Sequence, residues 1–122
     1  MKDRVLIMSQ AILDDDILAL KTDSFEVEVV PDYPHGLMML DETSPDLVII
    51  DERLAVVDGW EACSRLRKIT DVPIILLGDE QSGQAVARAI DKGADGYLAK
   101  PCDPDELKAR AGALLRRYQR KT

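Results

Sequence analysis

The stretch PDLVIID at residues 45–51 contains four consecutive apolar residues, Leu47–Ile50, followed directly by the carboxylate of Asp51. A continuously apolar run of this length is typical of a strand buried on both faces of a parallel sheet. A second short run, in YLAK at 97–100, ends in Lys100 and is followed by Pro101. The pattern predicts two buried strands that each deliver one charged side chain at their carboxyl ends.

Apolar runs recur at regular intervals and end at residues 8, 30, 50, 77 and 99. The run Phe25–Val30 alternates with glutamates, which is typical of a strand near a sheet edge. Between the runs, apolar residues recur at helical spacing over 13–20, 33–42, 62–69, 82–92 and 107–118. Five repeats of strand and helix predict an α/β fold, a doubly wound five-stranded parallel sheet with helices on both faces.

Several helix ends are marked by residues that favour caps. Pro34 suits a first helical turn, and Asp103 followed by Pro104 and Glu106 predicts the start of the last helix. Gly93 follows the helix that we expect to end near residue 92, as a C-terminal glycine does.

Composition limits the function classes. The chain has 122 residues, which suits one domain, and a net charge of -7, which disfavours direct nucleic acid binding by this domain. Residues 116–122 carry four positive charges and fit either a solvated helix end or the start of a linker. Two cysteines make no disulfide framework, and no run is long enough to span a membrane, so we expect a cytoplasmic protein without membrane association.

In a parallel α/β sheet the functional crevice lies at the carboxyl ends of the strands. The residues predicted there are Ser9 and Gln10, Asp51, Gly78 and Lys100. Asp51 also suits a turn or helix cap, but a lysine on a second converging strand favours an ion pair or a site for a phosphoryl group.

Together these features resemble the receiver domain of two-component response regulators, over the whole chain. The resemblance is carried by PDLVIID (45–51), VDGWE (57–61), VPIILL (72–77), KGADGYLAKP (92–101) and DPDELKARAGALLRR (103–117). It implies one receiver domain over 1–122 with a (βα)5 flavodoxin-like architecture. It further implies that Asp51 is the phosphoacceptor, that Lys100 contacts the phosphoryl group and that Tyr97 is the switch aromatic.

The chain departs from the family pattern where the resemblance implies a Mg²⁺ site. The family's acidic pair is replaced by Ser9 and Gln10, and its switch serine or threonine is replaced by Gly78. Since Mg²⁺ prefers hard oxygen ligands, usually including carboxylates, we predict that the chain binds no metal cofactor. Other acids lie nearby, at 14–16 and at Asp79, but the first group suits a helix N-terminus. We expect neither to rebuild the site.

Two functions are consistent with this pattern. The first is an atypical receiver, or pseudo-receiver, in two-component phosphorelay signalling that switches or dimerises a transcriptional regulator without normal Mg²⁺-dependent phosphorylation. The alternative is a working receiver that a sensor histidine kinase phosphorylates on Asp51. A neutral pocket beside Ser9 and Gly78 that holds another ligand also remains open. A cofactor enzyme would need a phosphate-binding loop after the first strand, and Ser9–Ile12 is not one, so we expect no enzyme.

The resemblance to receivers attached to winged-helix DNA-binding domains implies a protein partner. We expect a homodimer through the fourth helix, the fifth strand and the fifth helix of the predicted series. The candidate residues are Arg88, Asp91, Asp95 and Arg110, each of which a symmetric interface would use twice. An output domain, if present, would lie beyond residue 122.

Overall fold

The computed structural model describes residues 2–10, 20 and 24–119. It contains five parallel strands: β1 (Asp3–Met8), β2 (Phe25–Val30), β3 (Leu47–Asp51), β4 (Ile74–Gly78) and β5 (Gly96–Ala99). They form one sheet in the order β2-β1-β3-β4-β5. The predicted α/β class and five-stranded parallel sheet are confirmed.

Four helices lie in the described ranges: α1 (Tyr33–Thr43), α2 (Gly59–Arg67), α3 (Gly83–Asp91) and α4 (Pro104–Gln119). The fourth and fifth helices of the predicted series are therefore α3 and α4. The first predicted helix, with the acids at 14–16, lies outside the described residues apart from Leu20, which is buried. In the part of the chain that is described, no helix has the length and apolar character needed to cross a bilayer.

Side-chain caps set the helix starts. Asp32 accepts a hydrogen bond from the backbone N–H of His35 at 2.9 Å, and Pro34 occupies the first turn of α1. Ser82 caps α3 in the same way through the N–H of Ala85, at 3.1 Å. These caps satisfy backbone donors that have no partner within the helix.

The two faces of the sheet bury different residues because side chains alternate along each strand. Strands β1, β3 and β4 are buried on both faces over their last four residues or more, as continuous apolar runs predict. One face packs on α1, α2 and α3, and the other packs on Leu20 and the apolar stripe of α4. Edge strand β2 is buried only in part, which agrees with its alternating sequence.

Arg67 joins the amino-terminal ends of β4 and β5 to α2. Its guanidinium donates to the carbonyls of Thr70, Val72 and Gly93 at 2.8 to 3.1 Å. It also forms an ion pair with Asp95 at 2.8 Å. This end of the sheet is held by polar contacts, and the opposite, carboxyl end is left for the candidate site.

Alkaline pH should destabilise the fold through Cys63, which is fully buried on α2. Burial raises the pKa of its thiol from 9.0 to about 11, and the nearby Arg67 opposes this shift. The unfolded chain therefore loses the thiol proton first, so this contribution is complete below about pH 9 and is lost as the pH approaches 11. We expect the urea midpoint to fall over this range and to fall less in Cys63→Ala. Identical pH profiles for the two proteins would contradict the assignment.

Candidate functional site

The carboxyl ends of β3 and β5 bring together a buried ion pair. The Nζ of Lys100 lies 2.7 Å from Oδ2 of Asp51, and their side chains are only 17% and 4% exposed. Lys100 is held in register because its backbone N–H donates to the carbonyl of Gly78 at 2.7 Å. The two residues that the sequence placed on separate strands therefore meet, with β4 between them.

Further donors complete the environment of the Asp51 carboxylate. The backbone N–H of Arg53 donates to Oδ1 at 3.0 Å, and the hydroxyl of Ser9 lies 3.4 Å from Oδ2. Ser9 is fully buried, and its backbone N–H donates to the carbonyl of Val30. Gln10 is exposed. Of the two positions predicted to replace an acidic pair, one thus contributes a neutral hydroxyl to the site.

Two acids that directly follow β3 and β4, Glu52 and Asp79, bond to partners other than Asp51. Glu52 accepts from the indole N–H of Trp60 at 2.8 Å and from the backbone N–H of Asp79. The Asp79 carboxylate pairs with the guanidinium of Arg53, not with Lys100.

These contacts bear on whether a metal ion fits. Among the residues described, no group of three or more His, Cys, Asp or Glu side chains is arranged to hold a metal ion. Mg²⁺ sites in proteins are built from carboxylate and other hard oxygen ligands, whereas the described residues around Asp51 supply one carboxylate, a lysine and a hydroxyl. The described residues thus offer a metal ion one carboxylate, and they place a lysine against it.

Tyr97 lies inside the domain and is 6% exposed. Its hydroxyl donates to the carbonyl of Glu80 at 2.7 Å, and its ring stacks on Trp60 with centroids 5.8 Å apart. Burial raises the pKa of the Tyr97 hydroxyl, and the Glu52 carboxylate adds to this effect. A Cβ placed on Gly78 would lie 2.4 Å from the Tyr97 hydroxyl oxygen. The ring therefore occupies the space that a side chain at position 78 would need.

Trp60 has a larger role than its sequence position indicates. Its indole bonds to Glu52 and stacks on Tyr97, and the guanidinium carbon of Arg88 lies 4.1 Å from its ring centroid. The sequence analysis gave Trp60 no role in the site and missed this cluster. The available signal was a tryptophan one residue after Asp58-Gly59, near a lysine and an aspartate that were already predicted to converge.

The four residues predicted for a dimer surface have different environments. Asp91 and Arg110 are exposed, and Arg110 lies 3.9 Å from Glu106 on the same helix. Arg88 is exposed but covers the Trp60 ring. Asp95 is engaged within the chain: it accepts from the Tyr118 hydroxyl at 2.7 Å and from the Ile74 backbone at 2.9 Å, in addition to its ion pair with Arg67.

The loop after Asp51 is held close to α2. A Cβ on Gly59 would lie 2.3 Å from the Asp51 carbonyl oxygen and 2.6 Å from the Glu52 Cα, so only glycine allows this approach. Val56, between them, has a φ of 73° and is 81% exposed. A β-branched residue in this region of φ is strained. The close contact at Gly59 holds the backbone at Asp51 in place.

The comparisons with known proteins agree with this geometry. The model of the response regulator receiver domain matches residues 9–112, and the chain belongs to this family. The transcriptional regulatory protein CseB of Streptomyces coelicolor is 37% identical over 111 residues, which cover 86% of this chain and 47% of that protein. The DNA-binding dual master transcriptional regulator RpaA of Synechocystis is 36% identical over 96% of this chain and 51% of its own length. The chain thus spans about half the length of the relatives it matches.

Solved receiver structures share the fold. The CheY-like response regulator receiver domain from Methanospirillum hungatei superposes with a TM-score of 0.86 at 24% identity, with 100% of both chains covered. The signal receiver domain of a signal transduction histidine kinase from Syntrophus aciditrophicus gives a TM-score of 0.80 at 28% identity, covering 93% of this chain and 90% of that one.

Removing the cation of the buried pair should cost more than removing both charges. Lys100→Met leaves the Asp51 carboxylate buried without its cation, and we expect a loss of about 3–5 kcal/mol in the free energy of unfolding. The double variant Asp51→Asn/Lys100→Met should lose less. Urea denaturation followed by Trp60 fluorescence measures both.

The matched control is Glu26→Gln, which breaks the exposed Arg4–Glu26 pair and should cost less than about 1 kcal/mol. If the double variant is as unstable as Lys100→Met alone, or less stable, the unpaired carboxylate is not the cause.

Proposed function

We propose, from the chain's membership of the response regulator receiver family, that it is an atypical receiver. It would switch or dimerise a transcriptional regulator without normal Mg²⁺-dependent phosphorylation. The observation that carries the proposal is the environment of Asp51: a lysine, a backbone N–H and the Ser9 hydroxyl surround its carboxylate. Phosphoryl transfer relies on metal ions to neutralise developing charge, and this donor set lacks the carboxylates that would hold one.

The ion pair between Asp51 and Lys100 supports the first candidate, because it neutralises the Asp51 carboxylate without a metal ion. A lysine 2.7 Å from the carboxylate neutralises the charge that a metal ion would otherwise share. With Glu52 bonded to Trp60 and Asp79 paired with Arg53, the nearby acids have partners that a metal would have to displace. Losing metal stabilisation would raise the barrier to phosphorylation by several kcal/mol.

The second candidate is a working phosphoacceptor, phosphorylated on Asp51 by a sensor histidine kinase. It is favoured by the convergence of Asp51 and Lys100 in the geometry that would also bind a phosphoryl oxygen. The relatives are named as transcriptional and response regulators, which supports a role in two-component signalling under either candidate. A cytoplasmic location, the absence of enzyme activity and an output domain beyond residue 122 remain predictions.

A direct phosphorylation assay separates the two candidates. The protein is incubated with Mg²⁺ and acetyl phosphate, and its intact mass is measured over time. We expect no phosphate adduct, because the described residues offer a single carboxylate to the metal. The control is the variant Ser9→Asp/Gln10→Asp, which introduces two acids directly after β1 and should gain an adduct.

The control Asp51→Ala in the Ser9→Asp/Gln10→Asp background should lose that adduct. An adduct on the wild-type protein that disappears in Asp51→Ala would overturn the first candidate and establish the second. Beryllofluoride binding, followed by fluorine-19 NMR of the bound fluoride, gives an independent measure that does not depend on hydrolysis of an acyl phosphate.

We also propose that the surface formed by α3, β5 and α4 binds a second copy of this chain. Val86 and Ile90 are large apolar side chains on α3 that are 41% and 58% exposed. Asp91 and Arg110 supply opposite charges beside them, which a two-fold interface can pair across the axis. Asp95 contributes indirectly, because its carboxylate is already bonded to Arg67 and Tyr118.

Sedimentation of the purified domain tests this surface. Ile90→Asp should weaken dimerisation by about tenfold, about 1.4 kcal/mol, because a buried apolar contact in the centre of an interface contributes at least this much. The matched control is Ile69→Asp, since Ile69 is 61% exposed and follows α2. Equal effects of the two substitutions, or a monomeric wild type, would contradict the interface.

A further inference from the structure

We propose that Gly78 and Trp60 are positioning residues that hold Tyr97 inside the domain whatever the state of Asp51. The α3 and β5 surface is then kept in one conformation by packing alone. The role of this arrangement in signalling rests on the proposed function. The contacts themselves involve neither phosphate nor metal.

The first support is steric. All three atoms nearest to a Cβ on Gly78 belong to Tyr97: the hydroxyl oxygen at 2.4 Å and ring carbons at 2.8 and 2.9 Å. Real side chains do not approach this closely, so any residue with a Cβ at position 78 would compete with the inward ring for the same space. Glycine, which has no Cβ, permits the observed position of Tyr97.

Gly78 is not required by its backbone. Among the described glycines only Gly93 has a positive φ, so Gly78 has strand geometry that alanine also adopts. Gly78 pairs in register with Ala99 of β5, as a regular residue of β4. The space taken by Tyr97 is therefore the structural reason for glycine at this position.

The second support is the clamp around the ring. Trp60 stacks on Tyr97 at an interplanar angle of 25°. Trp60 is itself fixed at two points, by the hydrogen bond from its indole to Glu52 and by Arg88 over its ring. Stacked aromatic pairs and a cation over an indole ring are each favourable beyond the apolar area that they bury. Displacing Tyr97 would uncover one face of Trp60.

The hydroxyl of Tyr97 adds a directional contact. It donates to the Glu80 carbonyl at 2.7 Å, in the segment between β4 and α3. An outward ring would leave this carbonyl without that donor and would expose the ring to water. The inward position therefore satisfies packing, stacking and hydrogen bonding together, and none of these contacts includes the Asp51 side chain.

The decisive experiment substitutes Gly78 and measures the packing of Tyr97 against Trp60 by fluorescence. Trp60 is the only tryptophan, so the emission wavelength of the protein and its quenching by acrylamide measure how far the Trp60 ring is exposed to solvent. In Gly78→Ala we expect the emission to shift to the red and the quenching constant to rise, because the ring of Tyr97 must leave. The matched control is Gly83→Ala, since a Cβ there has no atom within 4 Å, and it should give wild-type values.

A double-mutant cycle identifies the cause. Gly78→Ala should lower the urea midpoint when Tyr97 is present and have little effect in a Tyr97→Leu background, because the steric conflict is then gone. Recovery of folding in the double variant supports the proposal even if Gly78→Ala alone does not fold. If both Gly78 variants fail to fold, Tyr97→Leu alone decides: it should increase the quenching of Trp60, and unchanged quenching overturns the clamp.

Two outcomes overturn the proposal directly. One is a folded Gly78→Ala whose Trp60 emission and quenching equal those of Gly83→Ala. The other is a change in the Trp60 emission of the wild-type protein when Asp51 is phosphorylated or binds beryllofluoride. A phosphate adduct with unchanged Trp60 emission would instead overturn the proposed function and leave the positioning of Tyr97 by Gly78 intact, so the two failures are distinguishable.

Discussion

The buried ion pair between Asp51 and Lys100 is the interaction on which the candidate site depends. Its two members end β3 and β5, which are separated by β4, so the pair forms only if all three strands stand in the observed register. Desolvating two charges is expensive, and a close contact at 2.7 Å with additional donors offsets that cost. The Ser9 hydroxyl, the Arg53 backbone and the close approach of Gly59 are arranged around this pair, and they leave the carboxylate with protein partners.

The absence of a side chain at Gly78 determines how the residues around it pack. At position 78 the absence of a Cβ opens the space that Tyr97 fills. Trp60 stacks on the Tyr97 ring, and Arg88 in turn covers the ring of Trp60. The sequence interpretation regarded Gly78 as a replacement of the family's switch serine or threonine. The structure adds that the same glycine admits the Tyr97 ring to the interior of the domain.

Most of the fold could be predicted from the sequence because it depends on local patterns. Continuous apolar runs marked the central strands, the alternation in Phe25–Val30 marked an edge, and Pro34 and Asp103 marked helix starts. The meeting of Asp51 and Lys100 followed from the rule that parallel strands end at one edge. The Trp60 cluster and the engagement of Asp95 by Arg67 did not follow, because each joins residues far apart in the chain through side-chain directions that no periodicity encodes.

The sequence by itself determined the five-stranded α/β architecture, the family and the placement of Asp51 and Lys100 at converging strand ends, because hydrophobic periodicity and strand ends are local properties of the sequence. It also determined which groups are missing at positions 9, 10 and 78. Only the tertiary structure decided what fills those places: a serine hydroxyl beside Asp51 and the Tyr97 ring against Gly78. The physical reason is that protein interiors are close-packed, so the space left by a small residue is filled by a neighbouring side chain. Which side chain lies close enough to fill it depends on the geometry of the whole sheet and its helices.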